Sequence, residues 1–203
     1  MRDEDRRIGA EGIWLFPALA LVWLAALLEG GAASAFDRGL LSAFYLGGEA
    51  RLVGFWVFVT ELGGWRALIP LAVAAGAFLL AKRRTRDALF LLSVVIGARV
   101  LVEAQKLLVD RARPGEAHLV DVYSQSFPSG HAANSLATYL ALAMLFFGSR
   151  RAVVAALLLA GLIGLSRVRL GVHWPSDVIG GWAFALLWAL ALARLFRVAP
   201  VRR

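Results

Sequence analysis

The charged residues of this chain fall in clusters, and the stretches between the clusters are strongly apolar. Several of these stretches are shorter than the roughly 20 residues that a helix needs to cross the hydrocarbon core of a bilayer. Flanking Trp, Lys and Arg side chains can reach the membrane interface and complete such a crossing. The pattern therefore predicts six membrane-spanning helices, at residues 12–28, 67–81, 88–98, 132–148, 152–165 and 178–193.

A further apolar stretch, residues 52–60, is too short to span a bilayer and predicts an interfacial or re-entrant helix. The predicted fold class is all-α: a polytopic six-helix membrane bundle with one additional short helix. Neither a tandem repeat nor a low-complexity linker is visible in the sequence. We therefore treat residues 1–203 as a single integral-membrane domain.

Composition agrees with this interpretation. Hydrophobic residues occupy 60% of the 203 positions and charged residues 18%, and the mean hydropathy is +0.71. Soluble domains are about 45–50% apolar and about 25% charged, so an ordinary soluble or disordered chain is excluded. The net charge of +8 would suggest nucleic-acid binding in a soluble protein, but here it indicates membrane topology. The absence of cysteine excludes disulfides, thiolate metal sites and cysteine nucleophiles.

The basic residues predict the orientation of the bundle. Thirteen of the 22 Lys and Arg residues lie in segments that share one side if the spans alternate, namely the N-terminal tail and residues 82–86, 149–151 and 194–203. The positive-inside rule then places both termini in the cytoplasm. The outward loops are 29–66, 104–131 and 166–177, and we expect a bacterial inner-membrane protein. Solubilising tails and contact with anionic lipid are compatible explanations for the terminal clusters.

The first unusual polar segment of the outward loops runs from Lys106 to Arg113-Pro114. If the third span continues as a helix past residue 105, Lys106 and Arg113 share one face about 10 Å apart, and Pro114 ends the helix. Arg99, Glu103 and Lys106 also share a face, and ionisable residues inside a span normally face the bundle interior or water. The alternative is a snorkelling basic cluster beside the membrane.

The second segment, Phe127-Pro128-Ser129-Gly130-His131, directly precedes an apolar span. Ser129 and Gly130 stand where a helix begins, and the free N–H groups of a helix start form an anion site. Ser129 could equally be an N-cap, and His131 a hydrogen-bonded interfacial histidine.

The third segment contains Ser166-Arg167, then His173 and Asp177. A guanidinium group matches the geometry of phosphate oxygens. The four-residue spacing lets the carboxylate of Asp177 accept the Nδ1–H of His173, which leaves Nε2 free as a nucleophile. The alternative is an ordinary loop followed by a helix start at residue 175 or 176.

Taken together, these loops bring three cations, two histidines, a carboxylate and a helix start to one membrane face. Phosphoryl transfer needs such a set, because cations and N–H donors neutralise the phosphoryl oxygens. One histidine can attack phosphorus while another protonates the leaving oxygen. No acidic cluster suited to magnesium is evident nearby, so we expect a metal-independent reaction without a cofactor.

The three segments resemble the signature motifs of the type 2 phosphatidic acid phosphatases, also called lipid phosphate phosphatases. The matching residues lie within 106–177, in the family's order and spacing: Lys106 with Arg113-Pro114, then Pro128-Ser129-Gly130-His131, then Ser166-Arg167 with His173 and Asp177.

This resemblance implies a metal-independent, six-helix membrane enzyme whose active site lies near the outer leaflet. It implies that His173 is the nucleophile and forms a phosphohistidine, that Asp177 orients His173, and that His131 protonates the leaving group. The residues implied to hold the phosphoryl oxygens are Lys106, Arg113, Ser129, Gly130 and Arg167.

The expected function is hydrolysis of a membrane lipid phosphate or diphosphate at the outer face. Undecaprenyl diphosphate, phosphatidylglycerol phosphate and phosphatidic acid are candidate substrates, and the bilayer is the other expected partner. Alternatives are a phosphotransferase on the same scaffold, a vanadium haloperoxidase, and a non-catalytic lipid transporter or lipid-binding protein. The sequence leaves the oligomeric state open. It also leaves open whether His118 selects a head group or is a solvated loop residue.

Overall fold

The computed structural model describes residues 14–47 and 50–198, and no β-strand lies within these ranges. The all-α fold class is therefore confirmed for the described part of the chain. The predicted start of the first span and both terminal tails lie outside the described residues. The helices are α1 Leu15–Glu29, α2 Ala35–Phe44, α3 Ala50–Glu61, α4 Trp65–Ala81, α5 Thr85–Val109, α6 Gly130–Leu142 with a π-helical continuation Ala143–Phe147, α7 Arg150–Arg169 and α8 Pro175–Leu195.

Four segments of the described chain are long and apolar enough to cross a membrane, so the six-span count is not confirmed. Helix α1 has only 15 residues, and the 25-residue α5 contains several charged side chains that lower its mean hydropathy. The apolar stretch 52–60 lies within the 12-residue helix α3, but its interfacial or re-entrant placement is not confirmed, because Leu52–Ala81 as a whole is also apolar enough to cross a membrane. The four segments are Leu52–Ala81, Gly130–Phe147, Arg150–Arg169 and Pro175–Leu195.

The core of the bundle lies where α4 to α8 meet, around Phe90, Leu91 and Val94 of α5. Helices α6 and α8 present mostly alanine to this core, and small residues let membrane helices approach closely. A Cβ atom at Gly181 of α8 would lie only 2.9 Å from the carbonyl oxygen of Ser129. Glycine at this position therefore allows α8 to pass directly behind the start of α6.

Four helix ends meet at one end of the bundle. Helices α5 and α7 end there, and α6 and α8 begin there. The connection between α3 and α4 lies at the same end, where the hydroxyl of Thr60 accepts a hydrogen bond from Arg167. The predicted helical continuation to Pro114 is wrong, because α5 ends at Val109 and Asp110 takes a left-handed conformation with φ of 49°. Arg113 consequently projects from the loop that follows α5.

Candidate active site

His173 and Asp177 form a buried pair at the start of α8. His173 lies in the short turn between α7 and α8, is 2% exposed, and places Nδ1 3.4 Å from Oδ2 of Asp177. Asp177 is fully buried, and its Oδ2 also accepts a 2.9 Å hydrogen bond from the backbone N–H of Trp174 and a short one from the hydroxyl of Ser126. This first turn of α8 therefore fixes the carboxylate against the imidazole.

Arg113 determines which ring nitrogen of His173 carries the proton. Its Nη1 lies 3.2 Å from Nε2 of His173 and 2.5 Å from the carbonyl oxygen of Val172, and its Nε donates to the carbonyl oxygen of Ser124 at 2.7 Å. A guanidinium group can only donate hydrogen bonds, so Nε2 must accept and the proton of neutral His173 lies on Nδ1. This tautomer has its lone pair on the nitrogen that faces away from Asp177.

The electrostatic surroundings keep His173 neutral. Burial, followed by the positive charges of Arg113, Arg167 and Lys106, lowers the pKa of His173 well below 6.5. At neutral pH Nε2 is therefore unprotonated, and its lone pair can attack an electrophile once Arg113 transfers its hydrogen bond to the bound group.

A cavity of about 760 Å³ adjoins His173, and most of the residues expected from the sequence line it. Those that line it are His173, His131, Gly130, Lys106, Arg113 and Arg167, together with Arg99 and Glu103 of α5. Asp177 and Ser129 are fully buried behind the cavity wall. The backbone N–H of Ser129 donates to the carbonyl oxygen of Asp177 at 3.0 Å, and its hydroxyl has no hydrogen-bond partner in the described part of the chain.

Two of the cavity cations are fixed by groups from other segments. The Nζ of Lys106 donates to the carbonyl oxygen of Gln125 at 2.5 Å, and Nη1 of Arg167 donates to the hydroxyl of Thr60 at 2.8 Å. The Nε of Arg167 is buried without a partner among residues 14–47 and 50–198, so this guanidinium keeps a donor for a ligand oxygen. The arrangement can surround a tetrahedral anion with positive charge.

His131 lies in the first turn of α6 and lines the same cavity as His173. Its side chain makes no direct hydrogen bond to any described residue, so its ring can exchange a proton with a bound molecule. No group of three or more His, Cys, Asp or Glu side chains that could hold a metal ion lies among the described residues.

Sequence reasoning missed three residues that contact this site: Ser126, Thr60 and Arg111. The hydroxyl of Ser126 donates to Oδ2 of Asp177, and Thr60 lies in the stretch for which the sequence predicts an interfacial or re-entrant helix. Arg111 donates from Nη1 to Oδ1 of Asp177 at 2.8 Å. The only available signal was its place inside the first motif, two residues before Arg113.

Comparison with known proteins agrees with this geometry. A family model described as the PAP2 superfamily matches residues 87–199, which is more than half of the chain and includes all three motifs. Phosphatidylglycerophosphatase B of Bacillus subtilis (strain 168) is 35% identical over 172 residues, which cover 81% of this chain and 85% of that protein. An undecaprenyl-diphosphatase of Sulfolobus acidocaldarius is 30% identical over 162 residues, covering 76% and 75%.

A solved structure extends the similarity to the whole fold. The crystal structure of a transmembrane PAP2-type phosphatidylglycerolphosphate phosphatase from Bacillus subtilis matches with a TM-score of 0.79 and 32% identity, covering 94% of this chain and 98% of that one. The expectation of a lipid phosphate phosphatase, drawn from the three motifs, is confirmed by these relationships. The chain belongs to the PAP2 superfamily.

Proposed function

We propose that this enzyme hydrolyses a membrane lipid phosphate or diphosphate through a phosphohistidine on His173. The observation that carries the proposal is the orientation of His173: its Nε2 accepts a hydrogen bond from Arg113 at 3.2 Å, and His173 lines a cavity that also contains Lys106 and Arg167. A phosphoryl group bound by Arg113, Lys106 and Arg167 would place its phosphorus next to that lone pair.

The proposed reaction has two steps. In the first, Nε2 of His173 forms a bond to phosphorus while the bond from phosphorus to the lipid oxygen breaks, and His131 gives that oxygen a proton. In the second, water attacks phosphorus and gives a proton back to His131, the P–N bond breaks, and inorganic phosphate leaves. The N–H of Gly130 at the start of α6 supports the phosphoryl oxygens in both steps, and Ser129 remains a predicted ligand at the same helix start.

The similarity to phosphatidylglycerophosphatase B makes phosphatidylglycerol phosphate the first substrate to test, followed by undecaprenyl diphosphate and phosphatidic acid. We expect purified protein to release phosphate from at least one of them at an unchanged rate when a metal chelator is present. A rate that falls to background under chelation would contradict the proposed mechanism. Labelled phosphate that appeared in a second lipid, rather than as free phosphate, would identify a phosphotransferase instead.

We further propose six spans, with both termini in the cytoplasm of a bacterium and the cavity open to the outer face of the inner membrane. With 25 residues, α5 is roughly 38 Å long, which is enough to cross a bilayer. Its charged residues Arg99, Glu103 and Lys106 line the cavity and therefore avoid contact with lipid. The basic residues around 82–86 then lie on the opposite side, as the positive-inside rule requires.

The lack of cysteine makes this topology directly testable with single-cysteine variants. Gly115 lies exposed in the loop between α5 and α6, and Thr85 lies exposed at the start of α5. We expect a membrane-impermeant maleimide to label Gly115→Cys in intact cells, and to label Thr85→Cys only after the membrane is opened. The reverse labelling pattern would contradict the orientation.

A further inference from the structure

A second carboxylate, Asp37 of α2, lies completely buried behind the active site. Its Oδ1 accepts the backbone N–H of Ser176 at 2.8 Å, and its Oδ2 accepts the Ser176 hydroxyl at 2.5 Å and the N–H of Gly31 at 2.6 Å. A buried carboxylate is costly unless its oxygens are hydrogen-bonded in this way. The two bonds from Ser176 attach the first turn of α8, which carries Asp177, to the N-terminal part of the chain.

Arg111 connects this carboxylate to the catalytic pair. Its Nη1 donates to Oδ1 of Asp177 at 2.8 Å and to the hydroxyl of Ser176 at 3.1 Å. Its Nη2 donates to the carbonyl oxygens of Ala26 and Leu27 at 3.0 and 2.6 Å, at the end of α1. Two hydrogens on each Nη atom match these four acceptors, so the guanidinium is fixed in one orientation.

The connection between α1 and α2 packs directly onto these groups. A Cβ atom at Gly30 would overlap the hydroxyl oxygen of Ser176 and lie 2.6 Å from Nη1 of Arg111. The guanidinium also lies over the ring of Phe127, 4.5 Å from its centroid. The Arg111 side chain is therefore only 9% exposed, and neither it nor Asp37 lines the cavity.

Arg111 donates a hydrogen bond to the carboxylate oxygen of Asp177 that does not contact His173. Oδ2 of Asp177 faces Nδ1 of His173, whereas Oδ1 accepts its only side-chain hydrogen bond within the described residues from Arg111. Removal of the guanidinium would leave a buried, unpaired carboxylate oxygen, and only the bonds of Trp174 and Ser126 to Oδ2 would still hold the carboxylate. The imidazole would then be held less firmly.

We propose that Arg111 and Asp37 are positioning residues for the hydrolytic reaction. Arg111 holds the Asp177 carboxylate directly, and Asp37 holds it through Ser176. The carboxylate in turn keeps Nε2 of His173 oriented toward the cavity. Asp37 and the α1 carbonyls lie outside the segment that the family model matches, so the N-terminal helices become part of the catalytic apparatus. The proposal rests on the proposed role of His173 as the nucleophile.

The kinetic test compares Arg111→Gln and Asp37→Asn with the wild type on the best lipid substrate. We expect kcat to fall about 100-fold for Arg111→Gln and about 10-fold for Asp37→Asn, since small displacements of a reacting group cost about this much. KM and the inhibition constant of inorganic phosphate should stay within about threefold, because neither residue binds the phosphoryl group. Added guanidinium ion should restore part of the activity of Arg111→Ala.

The matched control is Arg38→Gln, one residue from Asp37. Arg38 is exposed, and among the described residues its side chain donates only to the carbonyl oxygen of Ala32, so we expect wild-type kinetics. A wild-type kcat in both Arg111→Gln and Asp37→Asn would overturn the proposal, as would a loss confined to KM. If His173→Asn were also fully active, the assignment of the nucleophile would have failed; if only His173→Asn lost activity, the positioning role alone would have failed.

A measurement without turnover keeps the proposal testable for poorly active variants. The chain has three histidines, so selective ¹⁵N-histidine labelling gives a simple spectrum in detergent. We expect His173 of the wild type to be the Nδ1–H tautomer, and Asp37→Asn to show a mixture of tautomers or exchange broadening while Arg38→Gln does not. An unchanged His173 signal in folded Asp37→Asn would overturn the role of Asp37, whatever the substrate.

Discussion

Replacement of His173 by asparagine is expected to lower phosphate release about 10⁴-fold or more, because the reaction loses its nucleophile. Asparagine is close to histidine in size, and its amide N–H groups can still donate to Oδ2 of Asp177 in place of Nδ1. It has no lone pair that corresponds to Nε2, which in the wild type accepts from Arg113 at the cavity wall. The loss should therefore be chemical, and the fold should remain.

The measurement is phosphate release combined with trapping of a covalent intermediate. Wild-type protein quenched during turnover of a radiolabelled lipid phosphate should carry label that is stable in base and lost in acid, as a P–N bond predicts, and His173→Asn should carry none. The matched control is His118→Asn, since His118 is exposed and its Nε2 lies 3.0 Å from the carbonyl oxygen of Pro114, its one hydrogen-bond contact in the described part of the chain. Label or more than about 1% of wild-type activity in His173→Asn would contradict the assignment.

The grouping of the motif residues could be predicted from the sequence because it follows from local rules. Lys106, His131 and Arg167 stand at ends of apolar segments, and alternating spans bring those ends to the same side of a bundle. The four-residue spacing of His173 and Asp177 across a helix start is equally local, and the structure pairs them at 3.4 Å. The end of α5 depended on the left-handed conformation of Asp110, which spacing alone does not reveal.

The residues that hold the catalytic pair could not be predicted, because their contacts are distant along the chain. Asp37 meets Ser176 across 139 residues, Thr60 meets Arg167 across 107, and Arg111 meets Asp177 across 66. No periodicity links such positions, and an isolated acid in an outward loop is usually solvated. Only the packing of α1 and α2 against α8 shows that Asp37 is buried.

The span count shows a second limit of sequence patterns. Mean hydropathy is averaged over all sides of a helix. Charged residues of α5 that face the cavity therefore lower its mean hydropathy as much as lipid-facing charges would. The segment 52–60 was separated from 67–81 because Glu61 and Arg66 interrupt the apolar run. In the structure both of these residues line the cavity, at the joint between α3 and α4.

His131→Asn is expected to lower kcat/KM more for a substrate with a strongly basic leaving group than for one with a weakly basic leaving group. A lipid monophosphate must expel an alkoxide, which is about as strong a base as hydroxide and therefore needs a proton from the enzyme to leave. A lipid diphosphate expels a phosphate monoester, whose pKa near 6 makes protonation at neutral pH nearly unnecessary. We expect kcat/KM to fall about 10²- to 10⁴-fold for the monophosphate but less than about 10-fold for the diphosphate with the same tail.

The choice of kcat/KM matters because His131 is proposed to act twice. This ratio reports only the steps up to release of the first leaving group, where the two substrates differ. The second step, attack of water on phosphohistidine, is common to both and should be slow in His131→Asn. Label on His173 should therefore accumulate with the diphosphate and stay low with the monophosphate. Equal losses of kcat/KM on both substrates would mean that His131 does not protonate the leaving group, and its position in the cavity wall would then serve phosphate binding instead.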